Sequence, residues 1–194
     1  MKQRNKMQLN IIISILFLFL TSCDETIVID SVEYNIPTNW QGKRIDAALI
    51  ADPKELVQLP QDNTFEDYRI YLKKEARNAF VKMAEAAKKD SVFLIVDSGY
   101  RSANYQKKII KRRLDKGDSF EKIMKFVAPP GYSEHETGLA VDLVPSEIEF
   151  AKSKAYAWLK KNANKFGFIE SLPVSVIPKS RWEPWHWYYE GKDN

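Results

Sequence analysis

The spacing of hydrophobic positions changes along the chain and predicts a series of helices and strands. Over residues 64–89 apolar side chains recur every three or four positions, which predicts one long amphipathic helix with Thr64 and Asp67 as its capping box. Residues 91–96 form a short apolar run, and Gly99 helps to break the pattern directly afterwards. This run predicts a buried strand that delivers the residues after it into a loop.

The middle of the chain continues with two helices and another strand. Helices are predicted over residues 103–115 and 119–127, and the Pro-Pro-Gly sequence at residues 129–131 ends the second of them. Over residues 138–144 every second position carries an apolar side chain. Because side chains alternate between the two faces of a strand, Asp142 is predicted to point away from the bulkier apolar face.

The last part of the chain predicts one more helix and one more strand. Ser146 and Glu149 form a second capping-box pair, which predicts a helix that ends at Gly167. Residues 185–189 are aromatic except for His186 and have the alternation of a strand. Strands separated by helices without a regular βαβ rhythm predict an α+β domain with an antiparallel sheet.

The first 22 residues have the pattern of a signal peptide. Lys2, Arg4 and Lys6 precede an apolar run over residues 11–20, which is shorter than the ~20 residues that a membrane-spanning helix needs. The next residues, Leu-Thr-Ser-Cys, resemble a bacterial lipobox, which implies that Cys23 is lipidated and becomes the mature N-terminus. The alternative is that Cys23 is an ordinary small residue at the end of a signal sequence cut by the usual peptidase.

Composition and charge narrow the classes of function. Hydrophobic residues make up 44% of the chain and charged residues 29%, which is typical of a globular protein. The net charge of +4 includes three basic residues of the leader, which has no acid, so the remainder carries 4 − 3 = +1. This charge gives no support to nucleic-acid binding. The basic run over residues 107–113 is either a solvated helix face or a surface that weakly attracts anionic cell-wall polymer.

Candidate chemistry centres on the only two histidines of the chain, each of which lies beside carboxylates. A catalytic zinc site needs three protein ligands and leaves the fourth position for water. His135, Asp142 and His186 supply such a set of nitrogen and oxygen donors. The sequence therefore predicts one zinc ion per chain.

A zinc-activated water also needs a general base. The metal lowers the pKa of its water from ~15.7 towards ~7, and a nearby carboxylate accepts the proton. Glu183 is the candidate, with Glu134 and Glu136 as substitutes. A regular strand would place Glu183 and His186 on opposite faces, but Pro184 cannot donate a ladder hydrogen bond, so the strand is expected to begin after it.

The spacing Ser-x-His-x6-Asp, followed by Glu-x-x-His, resembles the zinc D-alanyl-D-alanine carboxypeptidase family, which includes the vancomycin-resistance carboxypeptidases and relatives that cut L,D bonds. Residues 98–106, with the sequence Ser-Gly-Tyr-Arg-Ser-x-x-Tyr-Gln, add a third matching element. The resemblance implies a Hedgehog/DD-peptidase-like fold, with a central antiparallel sheet flanked by helices. It also implies that Arg101 binds substrate and stabilises an anion, and that Gln106 and Ser133 line the pocket.

Arg101 also makes chemical sense on its own, because a guanidinium can hold a terminal carboxylate through two hydrogen bonds or steady an oxyanion. Tyr100, Tyr105 and Trp185 are either pocket walls or core residues. The leader pattern predicts a signal peptide over residues 1–22. A lipid-anchored tether with its leading strands over 23–63 and a zinc peptidase domain over 64–194 complete the expected division.

The function implied is a monomeric, membrane-anchored carboxypeptidase of the cell envelope that removes the terminal D-alanine of peptidoglycan stem peptides. The D,D and L,D bonds both stay open as targets, and so does the choice of membrane. The alternatives are a peptidoglycan endopeptidase of the same fold, or a non-catalytic zinc-containing module that binds the cell wall. The presence of Glu183 argues against the module, because binding alone needs no acid–base carboxylate.

We expect Cys23→Ser to release the protein from membranes. Stable anchoring needs about two acyl chains, and the substitution removes their site of attachment. Membrane fractionation of the producing cells, followed by a salt wash, measures the outcome. A variant that still sediments with washed membranes contradicts lipidation at Cys23.

Overall fold

The computed structural model describes residues 25–173 and 182–191, so the predicted signal peptide and Cys23 lie outside the described residues. Its strands and helices have the following bounds: β1 Thr26–Ile29, β2 Val32–Asn35, β3 Leu56–Gln58, β4 Tyr71–Lys73, α1 Lys74–Lys89, β5 Val96–Ser98, α2 Ala103–Leu114, α3 Phe120–Ile123, β6 Ala140–Leu143, α4 Lys154–Asn162, β7 Phe168–Ile169 and β8 His186–Tyr189. Within these ranges no helix is both long and apolar enough to cross a bilayer.

A four-stranded antiparallel sheet in the order β5-β6-β8-β7 forms the centre of the domain. Two separate antiparallel hairpins, β1-β2 and β3-β4, lie outside it. The predicted α+β class with an antiparallel sheet is confirmed. Along β6 the side chains of Val141 and Leu143 enter the main core, while Asp142 points to the other face, as the alternation predicted.

Helix α1 packs its apolar face against the sheet. Its buried residues recur every three or four positions, and the Phe80 ring meets Phe168 of β7 edge to face, with centroids 6.1 Å apart. The helix ends at Lys89, as predicted, but it begins at Lys74, so the predicted start near Thr64 is wrong. The backbone before it pairs with β3 as strand β4 instead, because that pairing buries Leu72 completely.

Other element boundaries also differ from the prediction for local reasons. Helix α4 begins at Lys154 and is capped by Ser153, whose hydroxyl accepts a hydrogen bond from the Tyr156 N–H at 3.0 Å. The predicted cap Ser146 donates instead to Asp97, at 2.8 Å. The predicted helix over 119–127 is only one turn long, and the strand predicted over 91–96 joins the sheet ladder only at Val96.

The segment that precedes the predicted catalytic domain is folded against it. Ile29 of β1 joins a second apolar cluster with residues of α2 and α3, among them Ile110 and Ile123. The ring of Tyr34 in β2 stacks on Phe120 with centroids 4.4 Å apart. Strands β1 and β2 therefore pack against α2 and α3, in a cluster separate from the core of the central sheet.

We expect Phe80→Ala to lower the free energy of unfolding by about 3–5 kcal/mol, because it leaves a cavity where a fully buried ring packs. Denaturant unfolding followed by circular dichroism measures this loss. Phe93→Ala is the matched control, since that ring is 66% exposed and its removal should change stability by less than about 0.5 kcal/mol. Equal losses in the two variants would contradict the packing described for α1.

Candidate active site

The register of the sheet places three polar side chains in a row. Asp142 lies on β6 between Ser98 of β5 and His186 of β8, which are its direct cross-strand partners. Residues directly opposite one another in adjacent strands point to the same face. The face of the sheet away from the core therefore carries a serine, a carboxylate and an imidazole side by side.

His135 reaches this row from the short 3-10 helix Glu134–Thr137 that precedes β6. Gly138 ends that helix with φ +70°, a left-handed conformation that lets the chain turn directly into the strand. His135 Nε2 lies 3.0 Å from Asp142 Oδ2, and His186 Nδ1 lies 2.9 Å from Asp142 Oδ1. The structure thus brings the three predicted metal ligands together, with donor atoms within 4.8 Å of one another and all three residues buried.

The hydrogen bonds of His135 favour a metal at this position. Its Nδ1 lies 2.6 Å from the Gly99 carbonyl oxygen, which can only accept, so Nδ1 carries the proton. Burial, together with the charge of Arg101, lowers the pKa of His135 and keeps the ring neutral. Nε2 then presents a lone pair to the Asp142 carboxylate and has no hydrogen-bond partner among the described residues. Two acceptors 3.0 Å apart are complementary to a cation between them.

His186 is held by carboxylates on both sides of its ring. Nε2 lies 2.8 Å from Glu134 Oε2, and the same oxygen accepts a hydrogen bond of 2.6 Å from the Ser171 hydroxyl. Burial acts to lower the pKa of His186, but the hydrogen bonds to Asp142 and Glu134 raise it to about 10. Metal binding at Nδ1 must therefore displace a proton, while Glu134 fixes the orientation of the ring.

This orienting role of Glu134 was not predicted, because the sequence suggested Glu134 only as a substitute base. Its one sequence signal is its position beside a metal-ligand candidate. Glu136, the other substitute, is buried, and its Oε1 accepts a hydrogen bond of 2.7 Å from the Gly131 N–H. Glu136 thus supports the loop before Ser133 and does not line the cavity of the site.

The loop after β5 places Arg101 beside the three predicted metal ligands, His135, Asp142 and His186. A Cβ on Gly99 would lie 2.6 Å from Ile70 Cγ2 and 2.8 Å from the Tyr71 carbonyl oxygen, so only glycine fits where this loop crosses β4. The Arg101 N–H then donates to the His135 carbonyl at 3.2 Å. This close packing fixes the guanidinium beside the predicted ligands.

Arg101 and Gln106 each keep one buried polar atom without a hydrogen-bond partner among the described residues. Arg101 Nη1 donates to Ser98 Oγ at 3.0 Å and to Asp142 Oδ2 at 3.3 Å, while Nε is unpaired. Gln106 Nε2 donates to the Ala128 carbonyl at 2.8 Å, which leaves Oε1 as the unpaired acceptor. Buried polar atoms are normally paired, so these two are suited to contacts with a ligand.

A cavity of about 390 Å³ connects these groups. Among the residues that line it are the three ligand candidates, Arg101, Gln106, Ser133, Glu134, Glu183 and Trp185.

Glu183 lies on the turn before β8, and its carbonyl accepts a hydrogen bond of 2.9 Å from the His186 N–H. The strand begins at His186, after Pro184, as predicted. Trp185 is a wall of the cavity, whereas Tyr100 and Tyr105 do not line it. Tyr105 is 47% exposed and so is neither a pocket wall nor a core residue.

The sheet and its donor set together define a metal-binding α+β protein. A family model described as VanY, D-alanyl-D-alanine carboxypeptidase, matches residues 69–192. The chain therefore belongs to the VanY family of D-alanyl-D-alanine carboxypeptidases, and the predicted family and Hedgehog/DD-peptidase fold are confirmed.

Individual relatives agree with this assignment. YodJ of Bacillus subtilis is 36% identical over 171 residues, and a D-alanyl-D-alanine carboxypeptidase of Enterococcus faecalis is 35% identical over 117 residues. These matches cover 82% and 55% of the present chain. They span only 58% and 44% of the two relatives, so the chain is similar to about half of each protein.

The matches to solved structures cover a larger share of each relative's chain. The LD-carboxypeptidase LdcB is 31% identical with a TM-score of 0.66, over 88% of the present chain and 86% of LdcB. A vancomycin-resistance D,D-pentapeptidase, VanY, in complex with Zn(II) is 30% identical with a TM-score of 0.58, over 76% and 83% of the two chains.

We expect His135→Ala and His186→Ala each to weaken metal binding at least about tenfold, because each removes one of three protein ligands. Metal analysis after dialysis should find close to one zinc ion per chain in the unaltered protein and far less in both variants. Asp62→Asn, which removes a carboxylate from the exposed surface, is the control and should retain its zinc. Full zinc content in both histidine variants contradicts the assignment of the ligands.

Proposed function

We propose that this protein is a zinc carboxypeptidase that hydrolyses the bond before the terminal D-alanine of peptidoglycan stem peptides and so remodels the cell wall. The observation that carries the proposal is the buried His135–Asp142–His186 group in a cavity that also contains Glu183 and Arg101. Membership of the D-alanyl-D-alanine carboxypeptidase family and the relative in complex with Zn(II) support both the reaction and the metal.

His135, Asp142 and His186 would hold the zinc ion, which would supply Lewis acidity to lower the pKa of a water molecule and polarise a carbonyl group. Glu183 accepts the proton of the attacking water and returns it to the departing amine of D-alanine. Its position on the turn before β8, at the wall of the cavity, is consistent with both transfers.

The remaining lining residues bind and orient the substrate. The guanidinium of Arg101, whose Nε has no partner among residues 25–173 and 182–191, pairs with the terminal carboxylate or with the oxyanion that develops at the scissile carbonyl. The Oε1 of Gln106, which has no partner in those ranges either, accepts an N–H of the peptide. Ser133 lies beside these groups in the cavity wall. The contacts of Arg101 with Ser98 and Asp142 keep its planar group fixed before substrate arrives.

We further propose that the protein acts as an exported, monomeric lipoprotein, anchored through Cys23 to a membrane of the cell envelope. The support is the leader over residues 1–22 with its lipobox-like end. This location is compatible with the proposed substrate, since stem peptides are part of the cell wall.

Incubation of the purified protein with tetrapeptide and pentapeptide muropeptides, with and without a chelator, tests the reaction. Mass spectrometry of the products distinguishes loss of one D-alanine from a D,D bond, loss from an L,D bond, and cleavage within a cross-link. Chelator-sensitive loss of one D-alanine supports the carboxypeptidase. Cross-link cleavage identifies an endopeptidase, and binding without cleavage identifies a non-catalytic module.

We expect Glu183→Gln to keep its zinc and its fold but to lower the rate of hydrolysis by about 10²–10⁴-fold, because an amide cannot accept the proton of water. The same muropeptide assay measures the rate, and metal analysis verifies the zinc content. Glu121→Gln makes the same change on the exposed surface and should hydrolyse at the unaltered rate. If Glu183→Gln holds zinc and still cleaves at that rate, Glu134 becomes the candidate base.

A further inference from the structure

One wall of the active-site cavity is built from outside the central sheet. Its residues are Trp40, Lys43, Ile45, Lys125 and Phe126, which we call the outer wall. The first three precede residue 69, where the match to the family model begins. The cavity therefore includes a contribution from the segment that the sequence predicted to be only a tether and its leading strands.

Several contacts fix the outer wall in place. The Trp40 indole N–H donates to the Met124 carbonyl at 2.8 Å, and the Trp40 ring meets Tyr132 edge to face with centroids 6.4 Å apart. The Ile45 N–H donates to the Gly131 carbonyl at 2.9 Å. The Tyr132 hydroxyl, in turn, is hydrogen-bonded to the Glu25 carboxylate. The N-terminal segment is thus attached to the same loop that leads to Ser133 and His135.

The outer wall adds positive charge to the cavity. The ammonium groups of Lys43 and Lys125 are exposed, and within residues 25–173 and 182–191 neither forms a hydrogen bond or an ion pair. Among the acids that line the cavity, Glu134 and Asp142 are hydrogen-bonded to histidines of the metal group. The two lysines are therefore available to an anionic ligand, which their like charges favour.

Resting on the proposed function, we infer that the outer wall is a subsite for a peptide carrying a free carboxylate on the acyl side of the scissile bond. A carboxypeptidase of this class releases one residue, which is much smaller than a cavity of about 390 Å³. The rest of the substrate needs a surface beyond the metal. Trp40 and Phe126, the latter 56% exposed, offer apolar faces to the peptide, while Lys43 and Lys125 pair with its carboxylate.

The test compares two synthetic stem peptides that end in D-alanine and differ only in one acyl-side residue, glutamate or glutamine. Each is made in the tetrapeptide or pentapeptide form that the unaltered protein cleaves. We expect the zinc-loaded protein to prefer the glutamate peptide roughly twofold to fivefold in kcat/KM, the size expected for exposed charge pairs. This preference should shrink as salt is added, because salt screens exposed charges.

The double variant Lys43→Met and Lys125→Met should bring the preference ratio close to one, because methionine keeps an apolar stem without the charge. The control Lys54→Met and Lys108→Met removes two exposed charges that do not line the cavity and should keep the original ratio. Calorimetric binding of both peptides to zinc-loaded Glu183→Gln gives the same comparison without turnover.

The outcomes separate this inference from the proposed function. If the unaltered protein cleaves both peptides equally well, the subsite is absent and the carboxypeptidase stands. If the preference exists but survives in the Lys43 and Lys125 variant, another group reads the carboxylate and the inference is wrong. If neither peptide is cleaved in either length, the proposed function fails, and equal affinities in the binding comparison then overturn the subsite as well.

Discussion

The register between β5, β6 and β8 is the constraint on which the site depends. Asp142 pairs with Ser98 on one side, after a register shift between Val96 and Ser98, and with His186 on the other, and these two pairings align the polar row. A slip of one residue in β6 would turn Asp142 towards the core and Val141 towards the cavity. Burial of Val141 and Leu143 in the main core opposes that slip. The packing that stabilises the domain is thus also what positions its chemistry.

The aligned groups then create an electrostatic requirement. A buried carboxylate is costly unless charged or hydrogen-bonding partners surround it, and Asp142 is paired with Arg101 and His186. Burial acts to raise the pKa of Asp142, but its contacts with His186 help to hold that pKa well below its usual value. The remaining lone pair on His135 has no partner within the part of the chain that the structure describes, so the group is complementary to a bound cation. Stability and metal affinity therefore depend on the same few atoms.

The sequence was sufficient for those parts of the site that depend on local chemistry. Residue type and spacing identified the His135, Asp142 and His186 cluster, and the missing N–H of Pro184 correctly placed Glu183 before β8. The sequence did not predict the features that depend on contacts between residues far apart in the chain. The helical periodicity after Thr64 did not reveal that Leu72 is buried in a strand paired with β3. Nor does any local pattern connect Trp40 with the loop at Met124, 84 residues away.

The attachment of Glu25 to Tyr132 has a consequence for the reach of the enzyme. Tyr132 lines the cavity, and only one residue separates Glu25 from Cys23. Two residue steps of extended chain span at most about 7 Å. With an acyl chain on Cys23, as proposed, the outer wall would stand almost on the lipid headgroups. Such a protein would not be able to reach substrates throughout the depth of the cell wall, because it would have no long flexible linker. It would work as a surface catalyst, confined to the thin layer of peptidoglycan next to its membrane.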